Sequence, residues 1–570
     1  MSVEKLRLTC LVWPDDKPDQ HMVEVELDNN RTVMALKKLI KDEYAPRLAH
    51  VAASDLVLWK CSIPADDDLQ KTLETTRFDV SDARLDRLPP ASKISKHFTT
   101  NLPDETIHIL VEVPAPENEA LLVSLPDLLK HRQQFNDKLP PTAPSSLAEP
   151  KQFSKVQKTD AQIVWSRPPD ADATIPVTLY HPIFRQFVGD CKNHQPTDKD
   201  NKLVRELTAA MSKFFPSEDV RAAELRDILQ DNGIPAIITA ISSKDDKSSF
   251  RTDGAIEYNH RHIVIIEIKE EIGSKGAEPY AQAILYYANS DWKKSEEYLT
   301  FNFPCLIITV FGPQISFSGA IWRARPHFQV LTPTMPLFCH RTDTDMRETL
   351  ARHFGALKKA IRSLEQCYDA LTNPALLENL DPQFPDHRTY CCLETKITVN
   401  FKYLHQIDEK KLLFICETDN RERICIKFVR RYSQAVHEKC AEMGIAPKLR
   451  GFEDIGAGWK VVIMDALDEE YKPFDKNILP ADTHKQIGER LVELHQANFV
   501  HGDVRDVNIM VRKDGKPGFV FIDFDWSGII GVVCYPINVN KVDLWRPDDV
   551  SDGLLIKSDH DMAMLDHIFH

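Results

Sequence analysis

The stretch from residue 251 to residue 282 constrains the fold more than any other part of the sequence. It reads RTDGAIEYNHRHIVIIEIKEEIGSKGAEPYAQ. Asp253 stands at the start of one predicted strand, and the apolar strand IVIIEIK carries Glu267 and Lys269. Because residues i and i+2 of a strand share a face, Glu267 and Lys269 should point the same way. A predicted helix follows and presents Gln282.

Two carboxylates and a lysine at the end of a hairpin can hold a divalent metal and activate a water molecule. Asp253 and Glu267 offer hard oxygen ligands, which suit Mg²⁺ or Mn²⁺ and leave positions for water and phosphate. Lys269 can orient or help deprotonate the attacking water and offset charge on the phosphate. Glu206, in a preceding predicted helix, is a further candidate acid. A match this short also occurs as an exposed hairpin with a salt bridge, but a charge in an apolar strand is expensive unless it is used.

Length and charge limit the alternatives. A chain of 570 residues is expected to form three or four domains at about 150 residues per domain. The net charge of −15 argues against nucleic-acid binding over the whole surface of the molecule. The 12 cysteines show no CxxC pair and are predicted to be reduced, buried thiols. No signal peptide and no membrane span are recognised, so a soluble protein without a membrane partner is expected.

The N-terminal region predicts a small mixed domain, residues 1–115. Strands are expected at residues 4–12, 22–28, 55–60 and 105–113, with a helix at 32–44. This order resembles the β-grasp, ubiquitin-like fold, and an interaction module with a protein partner is the expected role. Residues 116–160, which are rich in proline and serine toward their end, are predicted to be a partly extended linker with a short helical piece near residues 120–135.

The middle region, residues 161–345, surrounds the opening stretch. Helices are predicted at 203–215 and 219–230, and strands at 305–311 and 315–324. The order helix–strand–strand–helix–strand, together with Asp253 and the Glu267–Lys269 pair, resembles the PD-(D/E)xK nuclease superfamily, the restriction-endonuclease-like fold. That resemblance implies phosphodiester hydrolysis, with DNA as the first expectation and RNA and branched forms left open. It also gives Gln282 a place near the site. Residues 346–390 are predicted to be a helical linker.

Three further motifs lie in residues 391–570, namely RICIKFV at 423–429, HGDVRDVN at 501–508 and FVFIDFD at 519–525. Their order and spacing resemble the protein-kinase-like superfamily. The resemblance implies that Asp503 accepts the hydroxyl proton and that Asn508 and Asp523 bind magnesium. It gives Lys427 the role of holding the phosphates of ATP.

The resemblance also implies a helix acid that pairs with Lys427. Glu438 is the first candidate, with His437 and Glu442 as rivals, and Asp561 is a candidate brace for the catalytic loop. Residues 400–411 contain no glycine, and Asp525 stands where kinases have the glycine of DFG. An inactive pseudokinase therefore remains an open alternative to a kinase.

The N-terminal region, with its opening hairpin and helix, LWK at 58–60 and IHILVEVP at 107–114, is similar to the N-terminal domain of the Crinkler effectors. That family joins a ubiquitin-like N-terminal domain to variable enzyme-like domains. The resemblance implies a secreted protein that acts in the nucleus of a host or target cell, damages DNA and promotes cell death. The fold class expected for the whole chain is multidomain, mixing α+β and α/β domains.

Three functions are left open. The first is a Crinkler-like nuclease that a kinase-like domain regulates. The second is a kinase or phosphotransferase whose nuclease-like domain only binds substrate. The third is a non-enzymatic scaffold.

Overall fold

The protein divides into two compact units, Met1–Ala120 and Leu121–His570. The computed structural model describes residues 5–13, 21–44, 56–66, 69–74, 84–89, 92–98, 102–103, 106–112, 125–168, 175–242, 249–271, 276–290, 292–369, 371, 381–408, 410–467, 469–474, 483–514, 516, 518–542 and 544–569. No helix within these ranges is both long and apolar enough to cross a membrane.

The N-terminal unit is a mixed sheet with a helix packed on it. Its elements are β1 (Lys5–Trp13), β2 (Val23–Asp28), α1 (Val33–Glu43), β3 (Val57–Pro64), α2 (Leu69–Glu74), β4 (Asp86–Arg87) and β5 (Thr106–Glu112). The sheet order is β2-β1-β5-β3-β4, and β1 runs parallel to β5. Alternate residues of β1 and the apolar stripe of α1 form the core, as their periodicities of two and 3.6 require. The predicted strand and helix order is confirmed, while assignment to the ubiquitin-like class stays a prediction.

Residues 125–156 contain the predicted helical piece from residue 125 onward and correct the prediction that the chain after it is extended. They form α3 (Leu125–Lys138), α4 (Pro144–Leu147) and α5 (Pro150–Val156). Phe135 and Phe153 are buried in the core of the second unit, and the buried Arg132 donates to the carbonyl of Arg323 at 2.6 Å. Proline suggested a linker, but Pro144 and Pro150 each begin a helix. At the first helical position the missing N–H costs nothing. The part of the predicted linker at 116–124 lies outside the described residues.

The middle part (residues 125–369) is built around a second mixed sheet. After α5 come α6 (Val177–Tyr180), α7 (Pro182–Asn193), α8 (Asp198–Met211), α9 (Glu218–Asp231), β6 (Ala240–Ser242), β7 (Ser249–Arg251), β8 (Gly254–Tyr258), β9 (Arg261–Lys269), α10 (Pro279–Ser290), α11 (Trp292–Glu297), β10 (Cys305–Phe311), β11 (Gln314–Trp322), β12 (Pro326–Val330), β13 (Met335–Pro336) and α12 (Thr344–Asp369). The sheet order is β12-β11-β10-β9-β8, with β9 parallel to β10 and the other neighbours antiparallel.

The position of helix α12 corrects the predicted boundary between the middle region and the helical linker. The sequence places most of it in a helical linker, but the structure packs it against α7 and α8. Its apolar side chains Phe354, Leu357 and Leu364 are fully buried. An amphipathic helix of this length stabilises the fold by burying its apolar stripe, so α12 belongs to the core of the middle part.

The kinase-like part (residues 389–569) begins with an antiparallel sheet. Its elements are β14 (Thr389–Cys391), β15 (Thr398–Gln406), β16 (Leu413–Thr418), β17 (Arg423–Val429), α13 (Gln434–Glu442), β18 (Leu449–Gly456), β19 (Trp459–Asp465), β20 (Tyr471–Pro473), α14 (Thr483–Gln496), β21 (Phe499–Val500), β22 (Ile509–Arg512), β23 (Phe519–Phe521), β24 (Gly528–Ile529) and α15 (Ser558–Phe569). The first sheet has the order β14-β15-β16-β17-β19-β18. We call this sheet with α13 the amino-terminal lobe, and the elements from β20 onward the carboxy-terminal lobe.

One face of the amino-terminal lobe is continuous with the core of the middle part. Ile424, Ile426 and Phe428 of β17 belong to the same buried cluster as the middle sheet. Trp459 donates through Nε1 to Thr178 Oγ1 at 3.1 Å. The carboxy-terminal lobe has its own core, to which Val436 and Cys440 of α13 also belong. The amino-terminal lobe and the middle part therefore share one hydrophobic core.

Candidate functional site

The carboxylate of Glu267 is buried on strand β9. Residues from the second to the eighth of this strand are buried, and Glu267 has no exposed surface. β9 lies inside the sheet, with β10 on one side and β8 on the other. Lys269, at the end of the strand, places Nζ 2.7 Å from Glu267 Oε1. The predicted pairing of these two side chains on one face is confirmed.

Asp253 reaches the same end of β9 from the neighbouring strand. It directly precedes β8, and its Oδ2 accepts a hydrogen bond from the Ile268 amide at 2.8 Å. Arg226 of α9 donates to the Asp253 carbonyl. These contacts fix Asp253 beside the Glu267–Lys269 pair, so the structure brings together the three residues that the sequence pattern singled out.

A third acid comes from the start of α9. Glu218 Oε1 lies 3.3 Å from Lys269 Nζ. The helix begins there because the Ser217 side chain caps it by accepting from the Val220 amide. The helical pattern suggested Glu206 as the extra acid, but Glu206 instead accepts a hydrogen bond from Asn232 at 2.6 Å. Ser217 at a helix start, followed directly by an acid, was the available clue to Glu218.

Burial dominates the electrostatics of this cluster. It raises the pKa of Glu267 well above its usual range, and the neighbouring Asp253 charge adds to this effect. Burial also raises the pKa of Asp253 and of Glu218. Burial disfavours the Lys269 ammonium, but the acids, Glu267 foremost, outweigh it and raise the pKa of Lys269 to about 12. Lys269 is therefore cationic, which suits orientation and charge offset better than proton acceptance.

Gln282 joins the cluster through Tyr286. Its Nε2 lies 3.4 Å from the Tyr286 hydroxyl, which donates to the carbonyl of Arg251 at 2.8 Å. Burial, followed by the nearby Glu267 charge, raises the pKa of Tyr286 to about 12. One turn of α10 thus places both side chains over the acidic end of β9.

The residues present fit a divalent cation. The described part of the chain holds no ready-made cluster of three or more His, Cys, Asp and Glu ligands. However, Glu267 Oε2 is buried without a hydrogen-bond partner among the described residues. The carboxyl groups of Glu267, Glu218 and Asp253 also share the single ammonium of Lys269. Asp253 and Glu267 would hold Mg²⁺ or Mn²⁺, with water and substrate oxygens completing the coordination.

A second candidate site lies between the two lobes of the kinase-like part. Lys427 Nζ donates to Asp523 Oδ1 at 2.7 Å and to Asp525 Oδ1 at 2.6 Å. Burial disfavours the ammonium, but the two carboxylates outweigh it and raise the pKa of Lys427. Burial together with the adjacent Asp523 raises the pKa of Asp525 to about 7. Asp523 has a φ of 68°, and strained backbone of this kind clusters at functional sites.

Glu438 does not pair with Lys427. It is exposed on α13, and its Oε1 accepts from Gln434 Nε2 at 2.9 Å. His437 of α13 faces inward instead, and its ring stacks on Phe524 at 4.7 Å. The prediction that Glu438 is the partner of the lysine is therefore wrong, since the rotation of α13 turns this acid to solvent and Asp525 takes its place.

Asp503 is held by donors from two segments. Its Oδ2 accepts from Asn508 Nδ2 and from Arg505 Nη2, both at 2.9 Å. Its Oδ1 accepts from Arg546 Nη2 at 2.6 Å. Arg546 is 5% exposed, and no motif in the sequence indicated it. The carboxylate of Asp503 is thus fixed in orientation before any substrate binds.

Asp561 braces the loop that carries Asp503. Its two oxygens accept from the amides of His501 and Gly502, each at 2.8 Å. Asp561 is fully buried at the start of α15. A carboxylate with two backbone donors is a strong anchor, so Asp561 lies where the kinase-like pattern predicts a brace.

Comparison with known proteins identifies the N-terminal region. Residues 6–112 match the family described as the Crinkler effector protein N-terminal domain. This part of the chain matches the Crinkler family. Crinkler effector protein 1 of Rhizophagus irregularis is 40% identical over 90 residues, which are 16% of this chain and 18% of that protein. The chain thus spans less than a fifth of its curated Crinkler relative, and both candidate sites lie outside the matched residues.

Solved kinases are among the structural neighbours of this chain. The Cydia pomonella granulovirus kinase PK-1 is 22% identical, covers 23% of the chain and is itself covered over 53%, with a TM-score of 0.20. Vaccinia related kinase 3 is 13% identical, covers 35% of the chain and is covered over 72%, with a TM-score of 0.24. The kinase-like site is inferred from the placement of Lys427, Asp503, Asn508 and Asp523 and not from these values.

The cysteines form no disulfide within the described residues, which include all of them. All 12 are unbridged. Cys10, Cys305 and Cys416 are among the buried ones, whereas Cys391 is exposed. The prediction of unbridged thiols is confirmed, and the prediction that they are buried holds for most of them.

Proposed function

We propose that this protein is a Crinkler-type effector with a metal-dependent nuclease site in its middle part, and that the kinase-like part regulates this site. The observation that carries the proposal is the Glu267 carboxylate, buried inside a sheet beside Asp253 and 2.7 Å from Lys269. Burying a charge in an apolar strand costs several kcal/mol unless partners or a cation compensate it. This cost supports a functional role for Glu267.

The side chains of the site have different roles in phosphodiester hydrolysis. Asp253 and Glu267 would hold Mg²⁺ or Mn²⁺, and the bound cation would polarise the phosphate and activate a water molecule. The Lys269 ammonium offsets charge on the phosphate and is kept in place by Glu218 and Glu267. Gln282 and Tyr286 line the helix side of the same site. DNA is the proposed substrate, and RNA is the alternative with the same chemistry.

The shared core supports regulation by the kinase-like part. Lys427 lies on β17, and the opposite face of this strand packs into the core of the middle part. ATP bound at Lys427, with Mg²⁺ at Asn508 and Asp523, would therefore rest on a lobe that is fused to the nuclease-like sheet. We place the effector in the nucleus of a target cell, where it promotes cell death, with the N-terminal domain binding a protein partner.

Cleavage assays test this proposal. Purified protein with Mg²⁺ or Mn²⁺ should cut plasmid DNA, and both Asp253→Ala and Lys269→Ala should abolish cutting. The same assay with and without ATP, on wild type and on Asp503→Ala, reports the regulation. Intact DNA in every condition, with the same toxicity in cells for wild type and Lys269→Ala, would sink the nuclease proposal.

The second candidate function is phosphoryl transfer. It is favoured by the fixed carboxylate of Asp503 and the brace from Asp561, which together resemble a working catalytic loop. It predicts ATP turnover that Asp503→Ala removes and Asp253→Ala leaves unchanged. A third candidate, a scaffold, predicts that none of these substitutions changes toxicity.

A further inference from the structure

Two exposed phenylalanine rings lie near the nuclease-like site. Phe214 is 93% exposed and Phe338 is 50% exposed. Neither ring stacks on another aromatic ring among the described residues. Single exposed apolar side chains are common, but two large rings near one site indicate a contact surface.

Phe214 is tied to the site through its neighbour. The Phe215 ring lies 4.6 Å from the guanidinium of Arg221. Arg221 is 1% exposed and forms an ion pair with Glu271, two residues beyond Lys269. The loop that displays Phe214 is therefore anchored to the chain that leaves β9.

Phe338 is tied to the same end of β9 from the other direction. The Gly312 amide donates to the Lys269 carbonyl at 3.0 Å, and the Leu337 amide donates to the Pro313 carbonyl at 2.7 Å. Phe338 directly follows Leu337. Both rings therefore belong to short segments that a hydrogen bond or an ion pair joins to the chain around Lys269.

Chain length limits how far Phe214 lies from the chemistry. It precedes Glu218 by four residues, so their Cα atoms are within about 14 Å even if the chain is fully extended. Glu218 in turn lies 3.3 Å from Lys269 Nζ. Arg341, shortly after Phe338, is an exposed cation, and Lys213, beside Phe214, is exposed and ion-paired with Glu224 at 2.9 Å.

We propose that Phe214 and Phe338 form a stacking platform for the bases of a single nucleic-acid strand entering the site. The inference rests on the proposed nuclease function and makes single-stranded nucleic acid its preferred substrate. Bases of an intact duplex are already stacked, whereas those of a single strand offer their faces to aromatic side chains. The polyanionic backbone of the strand complements Lys213 and Arg341, which an apolar protein partner would not use.

Binding without cleavage provides the first test. Labelled single-stranded DNA is titrated with protein in EDTA at fixed salt, and 2-aminopurine in the strand reports stacking. Losing one ring should weaken binding about 5- to 150-fold, because a stacked base contributes about 1–3 kcal/mol. Phe214→Ala and Phe338→Ala should each show this loss and restore 2-aminopurine fluorescence, while Phe214→Trp should bind like wild type. Ile537→Ala, which removes an exposed side chain (79% exposed) from the kinase-like part, is the matched control.

Cleavage in Mg²⁺ separates failure of the platform from failure of the nuclease. If Lys269→Ala stops cleavage and both phenylalanine variants bind and cut single strands like wild type, the platform is refuted and the nuclease stands. If wild type binds single strands through the rings but never cuts, the nuclease is refuted and the platform stands. Unchanged binding of nucleic acid, together with loss of a protein complex in Phe214→Ala, would assign the surface to a protein and overturn the proposal.

Discussion

The guanidinium of Arg546 meets the carboxylate of Asp503 at 2.6 Å, and both side chains are almost completely buried. Arg546 also lies over the Trp526 ring at 4.9 Å. Asp503 is the residue proposed to accept a substrate proton, and its negative charge is thus balanced by an arginine 43 positions further along the chain. A contact between such distant segments holds the loop and the following segment together as one structure.

Breaking this pair should destabilise the carboxy-terminal lobe. Arg546→Met leaves the buried Asp503 charge short of a partner, which typically costs about 3–5 kcal/mol. Arg505→Met is the matched control, since Arg505 donates to the same carboxylate but its side chain is 27% exposed. Chemical unfolding followed by tryptophan fluorescence should show a clearly larger loss for Arg546→Met. Equal losses for the two variants would contradict the importance assigned to burial.

Glu218 should matter for cleavage, and Glu206 should not. Glu218→Gln removes the second carboxylate beside Lys269, so cleavage should fall at least about tenfold, a barrier increase of about 1.4 kcal/mol. Glu206→Gln alters a hydrogen bond with Asn232 and an exposed ion pair with Lys202 and should cut like wild type. Rates of plasmid cleavage in Mg²⁺ measure both. A normal rate for Glu218→Gln would remove it from the site.

Lys427 should be needed for nucleotide binding, and Glu438 should not. Lys427→Met removes the cation that is held between Asp523 and Asp525, so ATP–Mg²⁺ affinity should fall by tenfold or more, in line with about 1.5–3 kcal/mol for a hydrogen bond to a charged group. Glu438→Gln changes an exposed side chain that pairs with Gln434. Calorimetric titration of the two variants should therefore separate them. A loss of affinity in Glu438→Gln would mean that α13 turns inward when nucleotide binds.

The buried imidazole of His437 should make stability depend on pH. Burial lowers the pKa of His437 to about 4, against about 6.5 in an unfolded chain. Between these values the unfolded state binds more protons, so this contribution to stability is complete above about pH 6.5 and is lost as pH falls toward 4. His437→Phe should therefore lose less stability than wild type on acidification, measured as the unfolding midpoint across this range. An identical loss in both proteins would show that His437 does not contribute.

Sequence patterns correctly predicted the residue positions that depend only on local periodicity. The strand with Glu267 and Lys269, the loop with Asp503 and Asn508, and the position of Asp523 follow from short spacings that any neighbouring strand or turn imposes. The structure places them as expected. Their chemical roles remain predictions, which the cleavage and binding experiments address.

The predictions from sequence are wrong where the packing of an element determines which way its side chains face. Glu206 lies on a predicted helix and Glu218 directly precedes the next one, and only the docking of α9 selects Glu218. Glu438 has the spacing of a kinase helix acid, but the rotation of α13 exposes it. Pro144 and Pro150 suggested a linker because composition does not show that each occupies the first position of a helix.

The hydrophobic core that the amino-terminal lobe shares with the middle part bears on how such a chain can evolve. A fragment that began at residue 391 would present Ile424, Ile426 and Phe428 to water, and an apolar sheet face of that kind promotes aggregation. Trp459 would also lose its bond to Thr178. Recombination at that boundary would therefore be penalised, and the nuclease-like and kinase-like parts would be inherited as a single block.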